Sequence, residues 1–191
     1  MLFGDSGTAT LVQLSERQKM RIITHTRGKS YKTIISPYMS FRHPIPYDDG
    51  GGEDRMNDVE VFNFSTEEAP KAIKEMMAWS GTTPSDYDCL VLHQANLMIM
   101  KRITKLSGFT EDQMLISIDE FGNTSSASIP VSFVKHYGAQ ENDKLLRCML
   151  CGYGVGLSWS VVDCFVNVKD ILPLVHTDEY FDDGYYAEKE E

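Results

Sequence analysis

The chain has 191 residues and a formal net charge of -10, long enough for one large domain or two small ones with an ample buried core. Its 42% hydrophobic and 24% charged residues are ordinary for a globular protein. The acidic balance argues against non-specific nucleic-acid binding, which needs a basic footprint, and no apolar run approaches the roughly 20 residues that cross a bilayer. Met1–Asp5 has neither a charged n-region nor an apolar h-region, so no signal peptide is expected and a cytoplasmic location is.

In chain order, Thr8–Leu14 alternates and is β-branched, which predicts a strand. Arg21–Thr26 predicts a second, joined to the first by a polar turn as a hairpin. Residues 28–57 read as an irregular connecting loop, because Pro37, Pro44 and Pro46 break any helix and Gly50–Gly52 is flexible. His43, within it, reads as a surface histidine. The apolar stripe from Val59 to Ser80 predicts a long helix, kinked or split near Thr66 by Pro70 and ended by Gly81. A short turn at Thr83–Asp86 leads into a buried strand at Cys89–Leu92. Asn96–Ser107 predicts the next helix, with Leu97, Met100, Ile103, Thr104 and Leu106 inward and Gly108 as its stop. A capping turn at Thr110–Gln113 precedes a strand at Met114–Ile118. Thr124–Tyr137 reads as a third helix whose regular part starts at Pro130. Leu145–Cys151 and Leu157–Val168 are the last strands, joined by a glycine-rich turn. Residues 170–191 form an acidic tail. The expected order is thus strand, strand, helix, strand, helix, strand, helix, strand, strand.

The four cysteines, Cys89, Cys148, Cys151 and Cys164, lie in apolar strand-like runs and read as buried reduced thiols. Cys148 and Cys151 have zinc or redox spacing, but on a strand they face opposite ways and no second Cys/His pair accompanies them. No metal site is expected.

Two short motifs carry chemistry. Val91-Leu92-His93-Gln94-Ala95-Asn96 and Phe121-Gly122-Asn123-Thr124-Ser125-Ser126 each follow an apolar run and precede a helical pattern. His93 and Asn123 would therefore sit at carboxyl ends of strands, where open α/β sheets place their chemistry. A neutral imidazole and a carboxamide aimed at one point can donate two hydrogen bonds to a developing oxyanion. The alternative is a core histidine satisfied by backbone. An α/β hydrolase with His93 as base fails, because no Gly-x-Ser-x-Gly elbow precedes it.

These motifs resemble those of the 3-oxoacyl-ACP synthase III family, condensing enzymes of the thiolase superfamily. Gly152-Tyr153-Gly154-Val155-Gly156-Leu157-Ser158-Trp159 resembles the family's closing loop. Phe3–Thr10 resembles the stretch entering the last strands of its first half, and Asp58–Phe64 the opening of its second half. The resemblance implies a layered α/β thiolase-like fold with a mixed five-stranded sheet. It divides the chain into last strands of the first half (1–27), a connecting loop (28–57), a C-terminal thiolase-like domain (58–169) and a tail (170–191).

It also implies decarboxylative condensation of an acyl thioester with malonyl-ACP, without a cofactor; acyl-CoA or acyl-ACP and malonyl-ACP are the substrates. His93 and Asn123 take the family's positions for stabilising the enolate. The N–H of Val155, beside Gly154, takes that of the acyl oxyanion donor, and Gln94 and Asn96 fall near the carrier-protein docking face. An arginine common in that face is Met98 here, and Lys101 and Arg102 one turn on could bind an acidic carrier instead or form an ordinary solvated face. Val155 stands where the family usually has glycine. None of the four cysteines matches the context of the family's nucleophile, which lies in the first half. The implied partners are an acyl carrier protein, a nucleophile-bearing N-terminal half and further copies of the chain. The competing reading is a degenerate thiolase-like domain kept for binding or structure.

Overall fold

The computed structural model describes residues 3–16, 18–35 and 55–176. In chain order the elements are β1 (Arg21–Thr26), a 3-10 stretch (Gly28–Thr33), β2 (Ile34–Ile35), β3 (Arg55–Met56), α1 (Asp58–Ser80), β4 (Cys89–Leu92), α2 (Leu97–Ser107), α3 (Ile118–Phe121), α4 (Ser128–Tyr137), β5 (Leu145–Gly154) and β6 (Ser158–Asn167). The main sheet has the order β1-β6-β5-β4. β4 and β5 run parallel, and β6 is antiparallel to both its neighbours. β2 and β3 form a separate ribbon. The mixed, layered α/β architecture expected from the sequence is the one observed. No helix among the described residues is long and apolar enough to cross a membrane.

Local signals explain the helices. Asn57 caps α1, its Oδ1 accepting the Glu60 amide at 3.1 Å, and Asp58 and Glu60 complement the helix dipole. Asn96 caps α2 through the amides of Met98 and Ile99 at 2.8 and 3.4 Å. Thr83 and Thr110 both form capping boxes on short 3-10 turns. One sheet face packs Leu90, Leu92, Met149, Cys151, Trp159 and Val161 against α1 and α2. The other packs Cys89, Val91, Leu146, Cys148 and Cys164 with Phe133 of α4. Cys148 and Cys151 thus lie on opposite faces, and all four cysteines are free and buried.

Several expectations are corrected. Thr8–Leu14 forms no strand: Leu11 and Leu14 are 94% and 97% exposed, so the alternating pattern has nothing to pair with or pack on among the described residues. The hairpin is therefore absent, and β1 instead pairs with β6, from Arg21 opposite Asp163 to Thr26 opposite Ser158. β1 belongs to the same sheet as the last strands, so residue 27 is not a break in it.

The five-stranded sheet is reduced to four strands plus one bridge. Met114–Ile118 touches β4 only through the parallel bridge of Leu90 with Met114, because the amides beyond Leu115 turn to side chains, that of Ile116 to His136 Nε2 at 3.2 Å and those of Ser117 and Ile118 to a residue described below. The third expected helix shortens to Ser128–Tyr137 behind a 3-10 turn at Ser125–Ala127. α1 runs unbroken through Pro70, which is buried along with Ala69, Ala72 and Ile73; packing outweighs the roughly 3 kcal/mol an interior proline costs. Leu97 is 41% exposed and Leu106 half-buried, while Ile99 and Ser107 take the inward positions on α2. The part of the connecting loop holding His43 and Gly50–Gly52, and the tail from residue 177, lie outside the described residues.

Asp163 is fully buried on β6. Its carboxylate accepts from Arg21 Nη1 at 3.0 Å and from Arg147 Nε and Nη2 at 3.1 and 2.9 Å, tying β1, β6 and β5 together. Asp163→Ala is expected to lower the urea-unfolding free energy by about 3 kcal/mol, since it removes three charge-assisted bonds. Arg21→Ala is expected to remove only about 1 kcal/mol, because that side chain is already 29% exposed.

Candidate active site

Leu92 of β4 pairs with Cys151 of the parallel β5, so both strands deliver their carboxyl ends to one edge of the sheet. His93 extends the ladder by one residue, its amide donating to the Cys151 carbonyl at 2.9 Å. The Tyr153 hydroxyl donates to the His93 carbonyl at 3.3 Å, and the two rings meet edge-on at 5.5 Å. His93 Nδ1 lies 2.8 Å from Ser128 Oγ. Burial pushes the His93 pKa below its ordinary value, and a hydrogen bond with the Ser125 backbone opposes this only in part. The imidazole is therefore neutral at pH 7.

Asn123 is positioned by backbone on both sides. Gly122, at φ 66° and ψ -161°, occupies a region essentially restricted to glycine and turns the chain out of α3. Phe3 forms a parallel bridge with Asn123, and the Gly4 amide donates to the Asn123 carbonyl at 3.1 Å. A Cβ on Gly4 would lie 2.0 Å from the Phe121 carbonyl oxygen, so only glycine permits this approach. Asn123 Oδ1 accepts the Ser125 amide at 3.0 Å. With its oxygen engaged, the carboxamide presents its NH2 as a donor. Ser125 and Ser128, from the loop that Asn123 opens, both reach the His93 ring.

Gln94 corrects the sequence expectation. It is 0% exposed and is a connector within the core, not part of a docking face. Its Nε2 donates to the carbonyls of Leu92 and Leu115 at 2.8 and 3.3 Å, and its Oε1 accepts the amides of Ser117 and Ile118 at 2.9 and 3.2 Å. These bonds divert residues 115–118 from strand pairing. A polar residue two positions past a fully buried strand was the available signal for this role.

Asn96 is exposed, but its side-chain oxygen is committed to capping α2. Lys101 pairs with Glu111 at 2.9 Å. Lys101, Arg102 and Lys105 line an open cleft of about 520 Å³ with Phe62, Asn63, Thr66 and Met98. Gly154 ends β5 and Val155 sits in the following turn, 69% exposed, at the same edge of the sheet as His93. Cys148, Cys151 and Cys164 are not activated thiols: burial pushes Cys151 and Cys164 up to about 12, and the adjacent Cys89 thiol together with burial pushes Cys148 up as well.

The sequence profile described as 3-oxoacyl-[acyl-carrier-protein (ACP)] synthase III C terminal matches residues 77–162. Residues 77–162 are thus similar to the C-terminal part of that family's members. The beta-ketoacyl-[acyl-carrier-protein] synthase III of Lactococcus lactis subsp. cremoris (strain MG1363) is 32% identical over 167 residues, covering 83% of this chain and 50% of the relative. The enzyme of the same name from Oceanobacillus iheyensis is 39% identical over 110 residues, covering 56% of this chain and 34% of the relative. Among solved structures, the 3-oxoacyl-(acyl-carrier protein) synthase of Burkholderia xenovorans LB400 superposes with a TM-score of 0.74 at 29% identity, over 83% of this chain and 47% of that one. The chain thus has the thiolase-like fold that its motifs imply. It spans about half the length of the curated relatives it matches.

Two outcomes are expected from this geometry. Gln94→Leu removes the partner of four backbone groups, three of them in buried bonds, and should cost about 4 kcal/mol in chemical denaturation. Gln94→Glu should be worse at pH 7, because it adds a buried charge facing two carbonyls, and the gap between the two variants should close as pH falls. For His93, the folded-state pKa is depressed, so the unfolded chain binds the proton more readily. The stability His93 contributes is present above about pH 6.5 and lost as pH falls through its lower folded value. A His93→Gln variant should therefore show a shallower loss of stability below that pH than the parent chain.

Proposed function

We propose that this chain supplies the second half of a condensing enzyme that joins an acyl thioester to malonyl-ACP with loss of carbon dioxide. His93 and Asn123 donate hydrogen bonds to the thioester oxygen as the malonyl group decarboxylates and its enolate forms. The N–H of Val155, in the turn after Gly154, serves the oxyanion of the acyl group. The thiol that carries the acyl group comes from a partner half. The observation that carries this reading is the Asn123 loop seated on the neutral His93 ring, with the Asn123 oxygen engaged by Ser125 and its NH2 left to donate. The burial of all four cysteines, with the Cys151 and Cys164 thiols held in the protonated form, supports assigning the nucleophile elsewhere.

Fusing the chain behind the first half of the Lactococcus lactis relative tests the reading. With acetyl-CoA and malonyl-ACP, the chain alone is expected to give no 3-oxoacyl product and the fusion to give product. His93→Ala or Asn123→Ala in the fusion should lower the rate by about 10²–10³. A fusion no faster than its His93→Ala variant would overturn it.

The acidic carrier is placed at the cleft of Lys101, Arg102 and Lys105, with Arg102 free of ion pairs among the described residues. In the fusion, Arg102→Glu is expected to raise KM for malonyl-ACP several-fold while leaving kcat nearly unchanged, with the wild-type KM rising with salt. An unchanged KM removes Arg102 from the interface.

Self-association of the chain follows from its apolar exposure. Leu11, Val12 and Leu14 are 94%, 68% and 97% exposed and Ile22 on the edge strand β1 is 52% exposed. Sedimentation of the chain alone should show dimers or larger species; a clean monomer at high concentration would contradict this.

A further inference from the structure

Ser128 opens α4 and is 1% exposed. Its Oγ lies 2.8 Å from His93 Nδ1 and accepts the Gln94 amide at 3.3 Å. A serine hydroxyl carries one proton and two lone pairs, and Gln94 occupies one of the lone pairs. The neighbouring hydroxyls are committed. Ser132 Oγ donates to the Ser128 carbonyl at 2.8 Å. Ser117 Oγ is 2.8 Å from Ser132 Oγ, and since the Ser132 proton is already used, Ser117 is the donor of that pair. Among the described residues, the one acceptor within reach of the Ser128 proton is therefore Nδ1 of His93. Were Nδ1 protonated instead, Oγ would accept two bonds and its own proton would be buried without a partner.

We propose that Ser128 is a positioning residue that holds His93 as the Nε2–H tautomer. The single ring proton then sits on the nitrogen away from α4, as a hydrogen-bond donor to a substrate oxygen requires. The inference deepens the reading of His93 given above and rests on it for its purpose, though not for its geometry. The chain Ser117, Ser132, Ser128, His93 runs from the segment beside β4, across α4, to the imidazole. Of these hydroxyls only that of Ser128 reaches the ring; Ser132 reaches the Ser128 carbonyl and Ser117 the Ser132 hydroxyl.

The test is nitrogen NMR on the full chain with its histidines labelled. The five histidines are resolved by the signals that His93→Gln removes. In the parent chain at neutral pH, His93 is expected to show an unprotonated Nδ1 and a protonated Nε2. In Ser128→Ala the two tautomers should both be populated, and Ser128→Thr, which keeps the hydroxyl, should return the Nε2–H form. A protonated Nδ1 in the parent chain overturns the proposal, and so does a Ser128→Ala spectrum with His93 unchanged. The parent spectrum can overturn it even should Ser128→Ala fail to fold, with Ser128→Thr as the second variant. Because the spectra need no turnover, an inactive fusion with Nε2–H His93 would sink the proposed activity and leave the tautomer lock standing.

Discussion

The side-chain amide of Gln94 is the constraint from which the site follows. It fills all four of its hydrogen-bonding positions with backbone groups, two before and two after the point where the chain leaves β4's neighbourhood. On one side this fixes the end of β4, and hence His93. On the other it holds Ser117 and Ile118, from which α3 starts toward Asn123. In an apolar interior an unpaired amide group costs about 1–3 kcal/mol, so the four bonds act together to keep this crossing in one arrangement. Two residues 30 positions apart are placed by an amide that contacts neither of their functional groups.

Around that crossing, protonation states are set mainly by dehydration. Burial keeps the His93 ring neutral, and burial keeps the Cys151 and Cys164 thiols protonated. The same physics thus produces a hydrogen-bond donor and silences potential nucleophiles within one sheet. Charge is handled differently at the far strands, where buried Asp163 is matched by two arginines. It is handled differently again at the open cleft, where cations remain in water.

Much of the fold was legible because its signals are local. The caps at Asn96, Thr83 and Thr110, the left-handed glycines at Gly81 and Gly108, and the apolar run of β4 all act within a few residues. The errors arose where a distant group competed. Met114–Ile118 has a strand's periodicity, yet His136 took the Ile116 amide and Gln94 those of Ser117 and Ile118. Thr8–Leu14 has a strand's alternation without a partner among the described residues. Pro70 should break a helix, but the surrounding core holds α1 straight through it. For the site, His93 and Asn123 were visible as a pair of residue types after apolar runs. Gln94 was misread because its position in a motif says nothing of burial. Ser128 was visible only as one hydroxyl in a crowded turn; its bond to His93 depends on how α4 lies over the sheet.

The contact between Gly4 and Asn123 has a kinetic consequence. The Gly4 amide proton can exchange with solvent only when its bond to the Asn123 carbonyl opens, and that same opening releases one of the supports of Asn123. The N-terminal segment and the Asn123 loop therefore share an opening equilibrium. Any polypeptide that pairs with the residues after Gly4 draws this equilibrium toward the closed state, so assembly on the N-terminal segment and order at Asn123 are thermodynamically linked.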